Sequence, residues 1–108
     1  MSTDIKQNKK ILSVVIPTFN EINNIERILN ELLDLSIPYE KEIIVVDDNS
    51  LDGTSELVRN IAQRERRVRL INRFGRCGLS SAIKEGSLCA SGDLIVIMDA
   101  DGQHETNS

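Results

Sequence analysis

The sequence predicts an α/β domain, a Rossmann-like parallel sheet with helices on both faces. Apolar, β-branched runs alternate with segments of helical periodicity, in the order strand-helix three times and then a fourth strand. The connections between these segments are short, and right-handed crossovers turn such an alternation into a parallel sheet. At 108 residues the chain has room for one domain. We expect residues 1–10 to be a mobile polar lead-in and residues 11–108 to form the domain.

The first strand-helix unit is bounded by proline. Residues 11–16 form an apolar strand that Pro17 should end, because proline cannot donate to a sheet ladder. Apolar residues then recur at helical spacing from Ile22 to Leu33, and Asn20 is placed to cap this helix.

The later units repeat the pattern. The predicted elements are a strand at 43–46, a helix that buries Leu57, Val58 and Ile61, a strand at 68–71 and a helix at 79–90. Small residues in the last helix allow close packing on the sheet. Residues 94–98 are all apolar, which predicts a strand buried on both faces at the centre of the sheet.

An Asp-x-Asp pattern follows that last strand. Asp99 and Asp101 are spaced by two, so on an extended segment both side chains point the same way. Paired carboxylates repel unless a cation or a proton lies between them, and such oxygen ligands suit Mg²⁺ or Mn²⁺. Asp and Gly are also common turn formers, so this pattern alone fits a turn equally well.

Polar clusters follow three of the four predicted strands, at residues 17–21, 47–50 and 99–103. The carboxyl ends of parallel strands lie at one edge of a sheet, where open α/β sheets bind ligands. This coincidence favours a binding site over a simple turn.

Composition excludes several classes of function. The net charge is −4 and aromatic residues make up 3% of the chain, so nucleic acid is not an expected partner. Cys77, Cys89 and one His lack metal-ligand spacing, which argues against zinc. We expect reduced thiols in a cytoplasmic protein, with Cys89 buried on a helix. Residues 1–10 lack the apolar core of a signal peptide.

Four motifs together resemble the family 2 glycosyltransferases of the GT-A fold, most closely the dolichyl-phosphate mannosyltransferase-like branch. They are residues 14–21 (Val-Val-Ile-Pro-Thr-Phe-Asn-Glu), 44–54 (Ile-Val-Val-Asp-Asp-Asn-Ser-Leu-Asp-Gly-Thr), 73–82 (Arg-Phe-Gly-Arg-Cys-Gly-Leu-Ser-Ser-Ala) and 99–104 (Asp-Ala-Asp-Gly-Gln-His). The chain lacks the Gly-x-Gly-x-x-Gly of dinucleotide sites and a Walker-type loop. It departs from the family at Ser80, where Gly-Leu-Gly is usual, and after His104, where a Pro-rich turn is usual.

The resemblance implies a role for each matching position. Pro17, Phe19 and Glu21 would line the base and ribose pocket; Val46 and Asp48 would contact the nucleobase; Ala100 would contact the nucleotide through its backbone; and Asp99, Asp101 and Gln103 would hold a divalent metal on the donor diphosphate. Two neighbouring cations, Arg73 and Arg76, fit a diphosphate contact and a mobile loop equally well.

The resemblance also implies a reaction and its partners. The family transfers one sugar from a GDP- or UDP-linked donor with inversion, in this branch often to a polyprenyl phosphate, and full-length relatives often lie at the cytoplasmic face of a membrane. We expect this chain to be the nucleotide-binding half of such an enzyme, inactive alone, with the general base in the half that follows. A sheet that stops after four strands should expose an edge, which a second copy would cover in a homo-oligomer.

A phosphoacceptor receiver domain is the alternative. In that interpretation Asp47 and Asp48 bind Mg²⁺, and Asp99, two strands later, accepts the phosphoryl group. It leaves Asp101 and residues 17–21 without a role.

Overall fold

The structure is a computed structural model and describes residues 10–74 and 78–100. Within these residues four strands alternate with three helices, as the sequence predicted. The elements in chain order are β1 (Ile11–Thr18), α1 (Ile25–Asp34), β2 (Glu40–Asp47), α2 (Thr54–Arg64), β3 (Val68–Asn72), α3 (Leu79–Cys89) and β4 (Leu94–Ile97).

The strands form one parallel sheet in the order β3-β2-β1-β4. From β1 the chain moves outward through β2 to β3, and it then returns to the other side of β1 for β4. The direction of the strand order therefore reverses between β1 and β4, which is the point at which open parallel sheets bind ligands. The predicted α/β class and parallel sheet are confirmed.

Helices cover both faces of the sheet, because successive side chains of a strand point to opposite sides. Val14 and Ile16 pack with Ile25 and Leu29 in a core beneath α1 and α2. On the other face, the residues beneath α3 are Val15, Ile44, Val46 and Ala82.

Helix α3 lies close to the sheet, as its small residues predicted. A Cβ atom added at Gly86 would lie 2.5 Å from Val15 Cγ1 and 3.0 Å from Val46 Cγ2. Only glycine therefore fits at this position unless the Val15 side chain moves. The helix packs over β1 and β2.

The prediction that residues 94–98 form a buried central strand is wrong for the described chain. Among the described residues β4 is an edge strand that pairs with β1 alone, and its residues are 42–47% exposed. An all-apolar strand is stabilised by burial on both faces. The described helices, however, pack over the other strands. The apolar run thus forms an open edge.

Strand β1 extends two residues beyond its predicted end and includes Pro17. The last ladder bond to β4 runs from Met98 N to Val15 O. Pro17 lies two residues after Val15, so its backbone nitrogen faces the same side of β1, toward β4. The hydrogen bonds between β1 and β4 have already ended at that point. The missing N–H therefore costs little, and proline did not mark the boundary.

The end of α3 also differs from the prediction. Cys89 is the last residue of α3 and is exposed, not buried. In the part of the chain described here, none of the helices is long and apolar enough to cross a membrane.

Candidate functional site

The predicted polar clusters at residues 17–21 and 47–50 lie beside Asp99 at one edge of the sheet. The strands β2, β1 and β4 are neighbours and run in the same direction. Their carboxyl ends therefore meet at that edge, with adjacent strands about 4.8 Å apart. Of the third cluster, residues 101–103 lie outside the described residues.

A cavity of about 340 Å³ opens at this edge, between the end of β1 and the start of α3. Its lining residues are Pro17, Thr18, Phe19, Asp48, Gly78, Leu79 and Ala82. Three of these, Pro17, Phe19 and Asp48, were predicted site residues. The others were not assigned roles, although Gly78 and Leu79 belong to one of the four motifs. The volume is in the range of small-molecule sites, about 300–1,000 Å³.

The loop that carries Phe19 is fixed by the loop that follows β2. Four hydrogen bonds join them: Asn20 N to Ser50 Oγ at 2.8 Å, Glu21 N to Thr54 Oγ1 at 2.9 Å, Ile22 N to Asp52 Oδ2 at 3.1 Å and Leu51 N to Asn20 Oδ1 at 2.9 Å. Phe19 itself is 57% exposed. Its ring is therefore accessible to a ligand, while the hydrogen bonds of the loop fix its backbone.

The prediction that Asn20 caps α1 is therefore wrong. Asn20 instead bridges two loops. It adopts a left-handed conformation with φ of 57°, which asparagine tolerates better than most residues. The helix begins at Ile25, and its N-cap residue is Asn24.

Asp52 anchors the same pair of loops. Burial raises the pKa of its carboxyl, but the hydrogen bonds from the Thr54 hydroxyl and from the Ile22 and Thr54 amides outweigh that effect, so its pKa lies below the ordinary value of 3.8. The loop contact therefore favours the ionised form of Asp52.

Glu21 lies at the start of α1, outside the cavity lining. Its Oε1 accepts a hydrogen bond from Asn24 Nδ2 at 3.3 Å, and its carbonyl oxygen accepts from the amides of Asn24 and Ile25. The structure thus places this predicted site residue next to the loop that carries Phe19.

Asp47 and Asp48 have different surroundings because they point to opposite faces of the sheet. Asp47 is fully buried and accepts hydrogen bonds from Thr18 Oγ1 at 2.6 Å, Ser50 Oγ at 2.6 Å and Ser50 N at 2.8 Å. It ties the end of β1 to the loop after β2. The side chain presents no surface to a ligand or metal.

Asp48 faces the cavity. Its Oδ1 accepts a hydrogen bond from Arg73 Nε at 2.9 Å, and its Oδ2 accepts one from Gly78 N at 3.0 Å. A carboxylate has about four lone-pair sites, so this side chain keeps acceptor capacity for a ligand N–H.

Arg73 has a role at the site that the sequence did not predict, because it holds the Asp48 carboxylate. It was weighed as a diphosphate contact or as a mobile loop cation, whereas its side chain is 2% exposed and ion-paired to Asp48 and Glu85. No local signal marks such a residue, since Asp48 lies 25 positions earlier in the chain. The second cation, Arg76, lies outside the described residues.

Two predicted site residues lie in the core of the sheet. Val46 is fully buried beneath α3, and Ala100 is 1% exposed and packs in the core on the α1 and α2 side. Neither is among the residues that line the cavity. The structure therefore does not bring their side chains to the cavity with Phe19 and Asp48.

Asp99 is the predicted metal ligand that the structure describes; Asp101 and Gln103 lie outside the described residues. Asp99 is exposed just past β4, and no hydrogen bond or ion pair within the described chain engages its carboxylate. A hard oxygen donor at this place fits a divalent cation. Across residues 10–74 and 78–100, no group of three His, Cys, Asp or Glu side chains could hold a metal.

The geometry does not support the receiver alternative. Strand β1 lies between the strand that carries Asp47 and the one that precedes Asp99. In addition, Asp47 is fully buried and bonded to Thr18 and Ser50, so it is closed to Mg²⁺.

Comparison with known proteins identifies relatives. The model of the family described as glycosyl transferase family 2 matches residues 13–108. The dolichol-phosphate mannosyltransferase of Pyrococcus furiosus is 42% identical over 93 residues, which cover 86% of this chain and 26% of that protein. The chain thus spans about a quarter of the length of this relative.

Solved structures of glycosyltransferases are also similar to this chain in sequence and fold. The mannosyltransferase PcManGT of Pyrobaculum calidifontis, in complex with GDP-Man and Mn²⁺, is 32% identical with a TM-score of 0.72 over 86% of this chain and 28% of that chain. Glucosyl-3-phosphoglycerate synthase of Mycobacterium tuberculosis, in complex with Mn²⁺, UDP and glucosyl-3-phosphoglycerate, is 28% identical with a TM-score of 0.67 over 90% of this chain and 35% of that chain. These likenesses confirm the GT-A type of fold.

Proposed function

The chain belongs to glycosyl transferase family 2, and from this premise we propose that it binds a nucleotide-diphosphate sugar at the carboxyl edge of its sheet. The observation that carries the proposal is the cavity of about 340 Å³ that holds both an exposed Phe19 ring and the Asp48 carboxylate. The whole protein would transfer the hexose with inversion.

The cavity suits a nucleobase. A base has an apolar face, which stacks on an aromatic ring, and ring N–H groups, which a carboxylate accepts. Phe19 supplies the ring and Asp48 supplies the acceptor, and both residues line the same cavity. Guanine and uracil both carry such N–H groups, so a GDP- or a UDP-linked donor fits this chemistry.

The diphosphate would lie toward β4, where Asp99 follows the strand. Asp99, with Asp101 and Gln103 from the predicted motif, would hold a divalent cation, Mg²⁺ or Mn²⁺. When bound, such a cation neutralises the charge that develops on the departing nucleoside diphosphate. The Mn²⁺ in the Pyrobaculum and Mycobacterium structures supports a divalent cation.

The acceptor in the proposal is a polyprenyl phosphate. The support is the similarity to the dolichol-phosphate mannosyltransferase of P. furiosus. We also retain the cytoplasmic location expected from the sequence; the exposed free thiol of Cys89 is compatible with a reducing compartment.

Isothermal titration of the chain with GDP and with UDP, each with and without Mn²⁺, tests the proposal. We expect one nucleotide to bind, and Mn²⁺ to strengthen that binding. Asp99→Asn and Asp101→Asn should remove the effect of Mn²⁺ but leave the metal-free affinity unchanged, because these residues contact the cation and not the base.

Asp34→Asn is the matched control, since Asp34 is an exposed carboxylate at the far end of α1. It should bind nucleotide like the unsubstituted chain. Failure of both nucleotides to bind, with and without Mn²⁺, would overturn the proposed function. An Mn²⁺ effect that survives both substitutions would overturn the metal assignment.

A further inference from the structure

We propose that Arg73 is a positioning residue that sets the orientation of the Asp48 carboxylate at the cavity. This inference rests on the proposed function, in which Asp48 accepts a hydrogen bond from the nucleobase. Arg73 would act through Asp48, because its side chain is 2% exposed and has almost no surface of its own for a ligand.

Arg73, Asp48 and Gly78 form a closed set of contacts. Arg73 Nε donates to Asp48 Oδ1 at 2.9 Å, and Arg73 Nη2 donates to the carbonyl oxygen of Gly78 at 3.2 Å. The amide of Gly78 in turn donates to Asp48 Oδ2 at 3.0 Å. Both carboxylate oxygens are thereby fixed, and so is the residue that precedes α3 on the cavity wall.

The other contacts of Arg73 hold the guanidinium itself. Its Nη1 donates to Ser81 Oγ at 2.7 Å and to Glu85 Oε1 at 3.3 Å, both on α3. Its backbone amide donates to the carbonyl oxygen of Asp47 at 2.9 Å. Through its backbone and side chain, Arg73 therefore connects the end of β2, the end of β3 and the start of α3.

Such a fixed carboxylate is ready for a ligand without a further loss of conformational freedom. A short acidic side chain at a strand end otherwise has several rotamers, and binding must then select one of them. The planar guanidinium reaches several acceptors at once, and a lysine ammonium does not reproduce that fork. Arg73→Lys therefore keeps the charge but loses the arrangement.

Nucleotide titration of Arg73→Met and Arg73→Lys tests this role. Because a hydrogen bond to a charged group contributes about 1.5–3 kcal/mol, we expect Arg73→Met to weaken binding by about 10- to 100-fold, and Arg73→Lys to recover only part of the loss. In an Asp48→Ala background, Arg73→Met should weaken binding no further. Equal losses in both backgrounds, or no loss, would overturn the proposal.

A second measurement does not need a bound nucleotide. Hydrogen exchange of the Gly78 amide, followed by NMR, reports its bond to Asp48 directly. We expect exchange to be at least tenfold faster in Arg73→Lys than in the unsubstituted chain, with exchange in the β2 strand unchanged. Lys84→Ala, an exposed position on α3, is the control and should leave Gly78 protected.

The two measurements separate the two proposals. If no nucleotide binds, the proposed function fails, while the exchange rate of Gly78 still decides whether Arg73 orders Asp48. If Arg73→Lys leaves the Gly78 amide protected, the positioning role is wrong, whatever the titration shows.

Discussion

At the scale of single residues, neighbouring acidic side chains have different roles. Asp47 is fully buried and joins two loops through Thr18 and Ser50, whereas Asp48 faces the cavity and is held by Arg73. The difference follows from the alternation of side chains along a strand. One residue of offset separates a structural carboxylate from a candidate binding group.

We predict that Asp47→Ala lowers the free energy of unfolding by about 1–3 kcal/mol, because the Thr18 hydroxyl and the Ser50 amide lose their buried acceptor. Urea unfolding followed by circular dichroism measures this change. The control Asp34→Ala removes an exposed carboxylate and should change stability by less than about 0.5 kcal/mol. A similarly small change for Asp47→Ala would contradict the prediction, because the hydrogen bonds to Asp47 would then make no net contribution to the free energy of unfolding.

At the scale of secondary-structure elements, Glu42 connects the amino-terminal side of the sheet. It accepts hydrogen bonds from Ser13 Oγ at 2.6 Å and Ser91 N at 2.9 Å, and it pairs with Arg69. Burial raises the pKa of Glu42, but the hydrogen bonds from Ser13, Ser91 and Arg69 outweigh that effect and lower it below the ordinary value of 4.5. Strands β1, β2 and β3 and the residues before β4 thus meet at one carboxylate.

This lowered pKa predicts a pH-dependent stability. A carboxyl whose pKa is depressed in the folded state stabilises the fold fully above its unfolded value, near 4.5. The contribution is lost as the pH falls through the folded pKa. Urea unfolding between about pH 7 and pH 3 should therefore show Glu42→Gln to be destabilised at neutral pH, and the difference should shrink below about pH 4.5.

Glu26→Gln is the control for this series, since Glu26 is exposed on α1. The free energy of unfolding of this variant should differ little from that of the unsubstituted chain, and the difference should not change with pH as it does for Glu42→Gln. A Glu42→Gln difference that stays constant down to about pH 3 would contradict the prediction.

At the scale of the whole molecule, no strand of the described residues pairs with the outer side of β4. Five apolar residues from Leu94 to Met98 are 36–47% exposed, and within residues 10–74 and 78–100 the only strand that pairs with β4 is β1. An edge of this kind offers unpaired N–H and C=O groups together with apolar surface. The expected pairing of two copies stays a prediction.

Sedimentation equilibrium over a range of concentrations tests that pairing. We expect a reversible dimer, and Val96→Lys should make it monomeric because a charge on an edge strand opposes pairing. Leu88→Lys is the matched control: Leu88 is 78% exposed, but it lies on α3, and the dimer should persist. A monomer at every concentration would contradict the prediction.

Much of the fold and part of the site could be predicted before any coordinates. The alternation of strands and helices is local periodicity, and it placed all the described elements within a few residues. The site follows from topology: once the strands are parallel, their polar ends share an edge. The clusters that contain Phe19 and Asp48 were found in this way, whereas the family resemblance singled out these two residues, and both line the cavity.

The sequence by itself determined the class of fold, the family and the edge that carries the site. Only the tertiary structure decided which residues are buried there. Burial and ion pairing depend on what packs against a residue, and those partners are distant in the chain: Arg73 meets an aspartate 25 positions before it. Distant packing partners also explain why the apolar run of β4 is an edge strand and why Val46 is a core residue. The periodicity of a sequence predicts which face of an element is apolar, but not which other element packs against that face.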